Sequence, residues 1–321
     1  MLSYIRGIDG NMAKQVSLSD NLSAVKTQSD HIESFQDRDA MPVRFSVSMS
    51  PQHSTFAPLL FAGRLAEGIE ALPKLGFAAV EISLRQVSDL DVRWLDKRLP
   101  ELGLVVSAFA TGRMCLEDSL CLSTPDPEVR ERLLDRLDSL IRLASHFKAS
   151  LIIGGVRGKL SGTNDQISAQ YSAAVDTLRR WAAIAGDLGV NLLIEPINRY
   201  ETNFVNTALD GEKLVKAIGH PCVKLLLDTF HMNIEEIDPC MSIRNAGEHL
   251  GYIHFADNNR QAPGQGHINF PAICEALADI GYQGFITAEI LPIPDDTQAL
   301  RHAGQYLQTL MFEKKRKKSD D

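Results

Sequence analysis

Leu192-Leu193-Ile194-Glu195-Pro196-Ile197-Asn198-Arg199-Tyr200-Glu201 runs three apolar residues into a carboxylate, a proline and a polar cluster. A short unbroken apolar run reads as a buried strand, and Pro196, with no N–H to donate, cannot sit inside a central ladder. Glu195 therefore stands where a strand stops and a loop begins. The pattern recurs three times downstream. Leu225-Leu226-Leu227 ends in Asp228, Tyr252-Ile253 in His254, and Phe285-Ile286-Thr287-Ala288 in Glu289. Four strand ends deliver Glu, Asp, His and Glu.

Outward from these runs, strand and helix patterns alternate. Strands are predicted over 43–50, 78–84, 105–110, 151–156, 191–195, 223–228, 251–254 and 284–289. Helices are predicted over 64–75, 90–102, 126–146, 165–188, 209–218, 239–249, 270–280 and 297–312. A loop carrying Thr111-Gly112-Arg113 and Glu117-Asp118 follows the third strand. Eight strands, each followed by a helix, over about 270 residues is the order and size of a single (β/α)8 TIM barrel. The strands are apolar rather than alternating, as a parallel sheet covered by helices requires. The catalytic barrel is placed at 41–312. Residues 1–40 are polar and rich in Ser, Asp and Gln, and are expected to form a disordered extension. Met41, just before the first strand, allows a second start site. The tail 313–321 carries Lys314-Lys315-Arg316-Lys317-Lys318, read as the solvated end of the last helix.

Composition narrows the class. The 321 residues are 44% hydrophobic and 23% charged, with a formal net charge of −8. That is ordinary globular composition, and it argues against a nucleic-acid backbone as partner. Five cysteines are odd in number and form no C-x-x-C pair, which favours reduced thiols. Cys115 and Cys121 are read as structural thiols. There is no apolar leader and no run of membrane-spanning length. A soluble cytoplasmic protein is expected.

In such a barrel the site lies at the C-terminal face, built from strand ends and the loops after them. Glu195, Asp228, His254 and Glu289 would converge there. Any one alone is commonly a cap or an ion-pair partner, but four at consecutive strand ends are hard to obtain as filler. Three carboxylates and an imidazole suit Mn²⁺, with Mg²⁺ or Co²⁺ as alternatives, better than a thiolate zinc site. His231 and Arg260 fall in the following loops as candidate substrate contacts. Arg85, Arg113 and Arg157 close strands two to four. They would hold a carboxylate or phosphate, or else pair with Glu81, Glu117 or Asp118. Pro263-Gly264-Gln265-Gly266-His267 is either an anion-binding nest or, more simply, a tight turn. Trp94 and Trp181 fall in helices as packing residues. There is no P-loop, no G-x-G-x-x-G after a strand, no H-E-x-x-H and no G-x-S-x-G.

Glu195-Pro-x-Asn-Arg-Tyr-Glu-Thr, Asp228-Thr-Phe-His-Met-Asn-x-Glu, His254-x-Ala-Asp-x-Asn-Arg and the Pro-Gly-x-Gly-His loop resemble the ketose 3-epimerase branch of the xylose-isomerase-like barrels, which includes D-tagatose/D-psicose 3-epimerases. Within it, Ala110-Thr-Gly-Arg113, Ile152-Ile-Gly-Gly-Val-Arg-Gly158 and Glu289-Ile-Leu-Pro are most similar to 5-keto-L-gluconate epimerases. The resemblance implies that Glu195, Asp228, His254 and Glu289 bind a divalent metal, usually Mn²⁺. It implies that Glu195 and Glu289 double as the acid/base pair. His231 and Arg260 would then hold substrate oxygens, and Glu201 would support the site. The expected reaction is C3 epimerisation of a keto-sugar or keto-sugar acid such as a ketohexonate or tagaturonate, through a metal-stabilised enediolate. Arg157 and Arg113 would take the acid group. The same site could serve aldose–ketose isomerisation, or a lyase acting on an oxidised sugar such as a 3-keto C-glycoside with a partner subunit. A nuclease is disfavoured by the acidic charge and the nine histidines. A non-catalytic sugar-binding protein is the rival of a different class. A homo-oligomer binding a small sugar is expected.

Overall fold

The computed structural model describes residues 44–54 and 58–319. The expected extension over 1–40, and Met41 with it, lie outside the described residues. In chain order the elements are β1 (Arg44–Met49), α1 (Leu65–Ala71), β2 (Ala79–Ser83), α2 (Val92–Glu101), β3 (Val105–Ala110), α3 (Gly112–Asp118), α4 (Pro127–Phe147) and β4 (Ser150–Ile153). There follow α5 (Asn164–Asp187), β5 (Leu192–Ile194), α6 (Ala208–Ile218), β6 (Val223–Asp228), α7 (Thr229–Glu235), α8 (Pro239–Ala246), β7 (Leu250–Phe255), α9 (Phe270–Asp279), β8 (Phe285–Ala288) and α10 (Asp296–Ser319). All eight strands pair in parallel and in sequence order. The sheet closes where Arg44 of β1 faces Phe285 and Val47 faces Ala288 of β8. This is a single (β/α)8 barrel.

Local chemistry sets the helix starts. Asp126 accepts a bond from the Glu128 N–H at the start of α4, with Pro127 at the first helical position, where its missing N–H costs nothing. Thr163 and Gln166 form a reciprocal capping box on α5. The larger apolar cluster lies between sheet and helices, with Trp181 at its largest buried position. A second cluster (Ala108, Ile152, Leu193, Leu226 and Tyr252) fills the barrel interior. Beside it, the Tyr252 hydroxyl donates to Ser107 Oγ at 2.7 Å and accepts from Thr287 Oγ1 at 2.7 Å. Satisfied polar groups therefore reach up the barrel toward the site, as buried hydroxyls must.

The last helix continues through the basic run to Ser319, in keeping with its reading as a helix end. The structure departs from the sequence reading at three places. The loop expected after β3 is helical over Gly112–Asp118, and Thr229–Glu235 is a further short helix. Each is only seven residues, whereas the seven-residue α1 is followed by a 3-10 turn over Pro73–Leu75 that lengthens its pattern. The thiols of Cys115 and Cys121 are joined in a disulfide, so these two are not the reduced thiols expected. Helix α3 and a left-handed Ser119 (φ 56°) turn the chain back on itself. The two Cα atoms come within 4.7 Å, inside bonding range. Cys222 and Cys240 lie outside any disulfide among the described residues. Among the described residues no helix is long and apolar enough to cross a membrane.

Candidate active site

Glu195 follows β5, Asp228 and His254 lie at the ends of β6 and β7, and Glu289 follows β8. One ligand atom from each falls within 4.8 Å of the others, and all four side chains are buried. Asp228 divides its two oxygens. Oδ1 caps α7 by accepting the Phe230 N–H at 2.8 Å, which leaves Oδ2 facing the cluster. Thr229 ties the ends of β6 and β7 together by donating to the Ala256 carbonyl and accepting its N–H. Glu195 depends on a glycine. A Cβ at Gly154 would lie 2.0 Å from Glu195 Oε2.

His254 shows what the cluster is built to hold. Its Nε2 lies 2.8 Å from Glu81 Oε2, and both side chains are almost wholly buried. Bonding to the carboxylate keeps a proton on Nε2 and turns Nδ1 inward. Among the described residues Nδ1 has no hydrogen-bond partner, though it lies 3.6 Å from Glu195 Oε1, 3.7 Å from Asp228 Oδ2 and 3.5 Å from Glu289 Oε2. A buried imidazole nitrogen among three carboxylate oxygens fits a divalent cation, which would take the place of the proton that these carboxylates otherwise favour there. The donor set fits one, and its hard oxygens fit the Mg²⁺ and Mn²⁺ class.

The electrostatics are strongly perturbed. Burial pushes the Glu195 carboxyl above its usual range, with the Glu289 charge adding to it. Burial acts the same way on Asp228 and Glu289, but it is outweighed, by Arg260, His231 and His254 at Asp228 and by Arg260 and His254 at Glu289, so both lie below the usual range. Burial alone would depress His254, yet Glu81 and Glu289 raise it overall. Arg260, in the left-handed region at φ 61°, donates from Nη1 to Asp228 Oδ2 at 2.5 Å and from Nη2 to Glu289 Oε2. It packs over the Phe230 ring and does not line the cavity beside the site.

That cavity holds about 600 Å³. Glu195, His254, Glu289, His231, Glu201 and Arg113 all line it. Asn198 organises two of them. Its amide oxygen accepts from the Tyr200 N–H, so its nitrogen donates to Glu201 Oε1 and to His231 Nδ1, each at 2.8 Å. The His231 proton is thereby left on Nε2. Arg113 is committed elsewhere. It grips Glu117 through Nε and Nη2, both at 2.9 Å, and donates to Ser50 Oγ at 2.6 Å and the His53 carbonyl at 3.0 Å. Arg85 pairs with Asp89, Glu117 and Asp118. Arg157 is buried outside the cavity lining, donating to the Ile153 carbonyl at 2.5 Å, with Nε and Nη2 unpartnered among the described residues. Burial pulls its pKa down to about 10. The Pro263–His267 segment is a turn. Asp257 takes the N–H groups of Gly264, Gly266 and Ile268, so these are not free for an anion.

Glu81, Asn198, Gly154 and Asp257 were not read from the sequence as site residues. Glu81 stood only as an ion-pair alternative for the arginines. A charged residue inside the apolar run Ala79-Val80-Glu81-Ile82 was the available signal, because burying a lone carboxylate is costly.

A barrel with this acidic, histidine-bearing mouth belongs to the xylose isomerase-like TIM barrel family, whose pattern matches residues 69–310. Within it the chain falls in the ketose 3-epimerase branch and is a sugar epimerase/isomerase. It is 35% identical to the D-psicose 3-epimerase of Ruminiclostridium cellulolyticum over 228 residues, 69% of this chain and 76% of that one. It is 36% identical to the L-ribulose 3-epimerase of Mesorhizobium japonicum over 221 residues, 67% of this chain and 71% of that one. A crystal structure of D-psicose 3-epimerase with D-tagatose from Clostridium cellulolyticum H10 superposes with a TM-score of 0.68 at 26% identity, covering 84% of this chain and 99% of that one.

Proposed function

We propose that the protein inverts C3 of a keto-sugar or keto-sugar acid, with a divalent cation held by Glu195, Asp228, His254 and Glu289. The observation that carries this reading is the inward, unpartnered His254 Nδ1 among three carboxylates, two of which also line the substrate-sized cavity. Mn²⁺ is the cation we assign, in keeping with the oxygen-rich set. When bound, it supplies the positive charge that polarises the ketone and offsets the charge developing on the sugar as C3 loses its proton.

The protein's residues do the rest. Inversion needs a proton taken from one face of C3 and one returned to the other. Glu195 and Glu289 reach the cavity from the ends of different strands and serve as that pair. The His231 Nε2–H, fixed by Asn198, donates to a substrate oxygen. Arg260 braces Asp228 and Glu289 from behind. Glu201 borders the substrate beside Asn198. Arg113 acts through Glu117 as a strut of the cavity wall, and Arg157 from beneath it, rather than as direct contacts.

Glu195→Gln and Glu289→Gln should each lower kcat by about 100-fold or more, the scale of a lost general acid or base. A Glu289→Gln enzyme with full turnover would remove it from the pair.

A further inference from the structure

Of the two arginines expected at an acid group, Arg113 is bound by Glu117 and Arg157 lies outside the cavity lining, whereas a lysine is part of that lining. Among the described residues, Arg113 and Lys159 are the Lys and Arg side chains lining the cavity. Lys159 makes no ion pair or hydrogen bond with any described residue, and it is an exposed residue of the cavity lining. An unpaired surface lysine is ordinary; this one is set on a braced backbone. Thr202 Oγ1 donates to the Gly158 carbonyl at 2.7 Å. Asn203 grips Leu160 from both sides, accepting its N–H at 2.9 Å and donating to its carbonyl at 3.0 Å. The residues before and after Lys159 are therefore tied to the loop after β5, which also carries Glu201.

A second polar group sits at the same wall. Ser123 is almost buried, lines the cavity and leaves its hydroxyl without a partner among the described residues. Gly158 makes their approach possible. It lies in the left-handed region at φ 72°, and a Cβ there would come 2.5 Å from Ser123 Oγ and 2.8 Å from Cys121 Cβ. Ser123 and Lys159 come from the loops after β3 and β4. The four candidate cation ligands come from the ends of β5 to β8, across the barrel mouth. The mouth thus has the candidate cation ligands on one side and Lys159 with Ser123 on the other. A polyhydroxy ketone with its reacting end at the candidate cation ligands would extend toward the Lys159 ammonium.

We propose that Lys159, with the Ser123 hydroxyl, receives an anionic group, carboxylate or phosphate, at the end of the substrate away from the reacting carbon. This rests on reading the site as a keto-sugar epimerase, and makes Lys159 a determinant of specificity within it. An ammonium point charge beside one hydroxyl donor matches either anion.

The test compares kcat/KM of the Mn²⁺-loaded full chain for fructose, fructose 6-phosphate and 5-ketogluconate. At least one anionic probe should exceed fructose, and which one does separates phosphate from carboxylate. Lys159→Met should lower the anionic-to-neutral ratio by about tenfold, equivalent to about 1.4 kcal/mol. Lys159→Arg should restore most of it, and Ser123→Ala should lower it less. An unchanged ratio in Lys159→Met, or a wild-type enzyme preferring fructose to both anions, overturns the proposal. If no probe is epimerised, the epimerase reading is what fails. Calorimetric binding of gluconate against glucitol then decides the anion site. A preference for gluconate that Lys159→Met removes supports it, and equal behaviour of the two proteins overturns it.

Discussion

Glu81 and Gly154 act on the site without joining it. Glu81 points inside the barrel and fixes which imidazole nitrogen of His254 carries the proton. Removing that acceptor frees the ring to rotate or change tautomer. Glu81→Leu should weaken Mn²⁺ binding by about 10- to 100-fold, the scale of a lost outer partner. Glu81→Gln, which keeps an acceptor, should lose less. Calorimetric titration of the unmutated and substituted proteins decides, and an unaltered Kd in Glu81→Leu would contradict the role. Gly154→Ala puts a methyl where Glu195 Oε2 now lies, so Glu195 must move. The variant should keep its far-UV circular dichroism while losing Mn²⁺ affinity; native affinity would show that Glu195 does not need that space. The strand-end residues were legible because an apolar run ending in an acid is a sequence pattern. Glu81 and Gly154 were not, because their importance lies in what the barrel brings opposite them.

At the scale of elements, the helix after each strand's loop and the strands themselves could be read from periodicity and apolar runs. The short helices α3 and α7 could not. Both sit where the chain turns off a strand into the mouth, and α3 carries much of the cavity wall. Its inner surface is held by Arg113 gripping Glu117, and the hydrogen bonds from Arg113 keep the Glu117 carboxyl below its ordinary range. A depressed carboxylate contributes stability that is present above its unfolded pKa, about 4.3. That contribution is lost as pH falls through the lower folded value. Below about pH 4 the stability of Glu117→Gln should therefore fall less steeply than that of the unmutated protein. Parallel slopes in urea melts would contradict the pairing. The Cys115–Cys121 bond clasps the same helix. Thiol titration of the unfolded, non-reduced protein should leave these two cysteines unreactive and rise by two after reduction. Five reactive thiols before reduction would contradict the bond. An odd cysteine count in the sequence says nothing about one local pair, which is why the bond was not foreseen.

The chain is acidic overall, and its described barrel gathers three carboxylates and a histidine at the mouth. Barrel and family follow from the β/α rhythm and the four strand-end residues, both present in the linear sequence. The arginines' partners depended on which loops meet in space, which the linear sequence does not show. A cation bound only by the folded state should raise Tm. At 100 times Kd the gain is about 2.7 kcal/mol, and scanning calorimetry of chelator-treated protein with and without Mn²⁺ measures it. The central claim, inversion at C3, is tested most directly by proton NMR of Mn²⁺-loaded enzyme in D2O with keto-sugars and keto-sugar acids. The expected result is loss of the C3–H signal, with the C3 epimer appearing and deuterium at no other carbon. Deuterium at C1 or C2 with an aldose as product, cleavage of the substrate, or no exchange despite bound Mn²⁺ would contradict it.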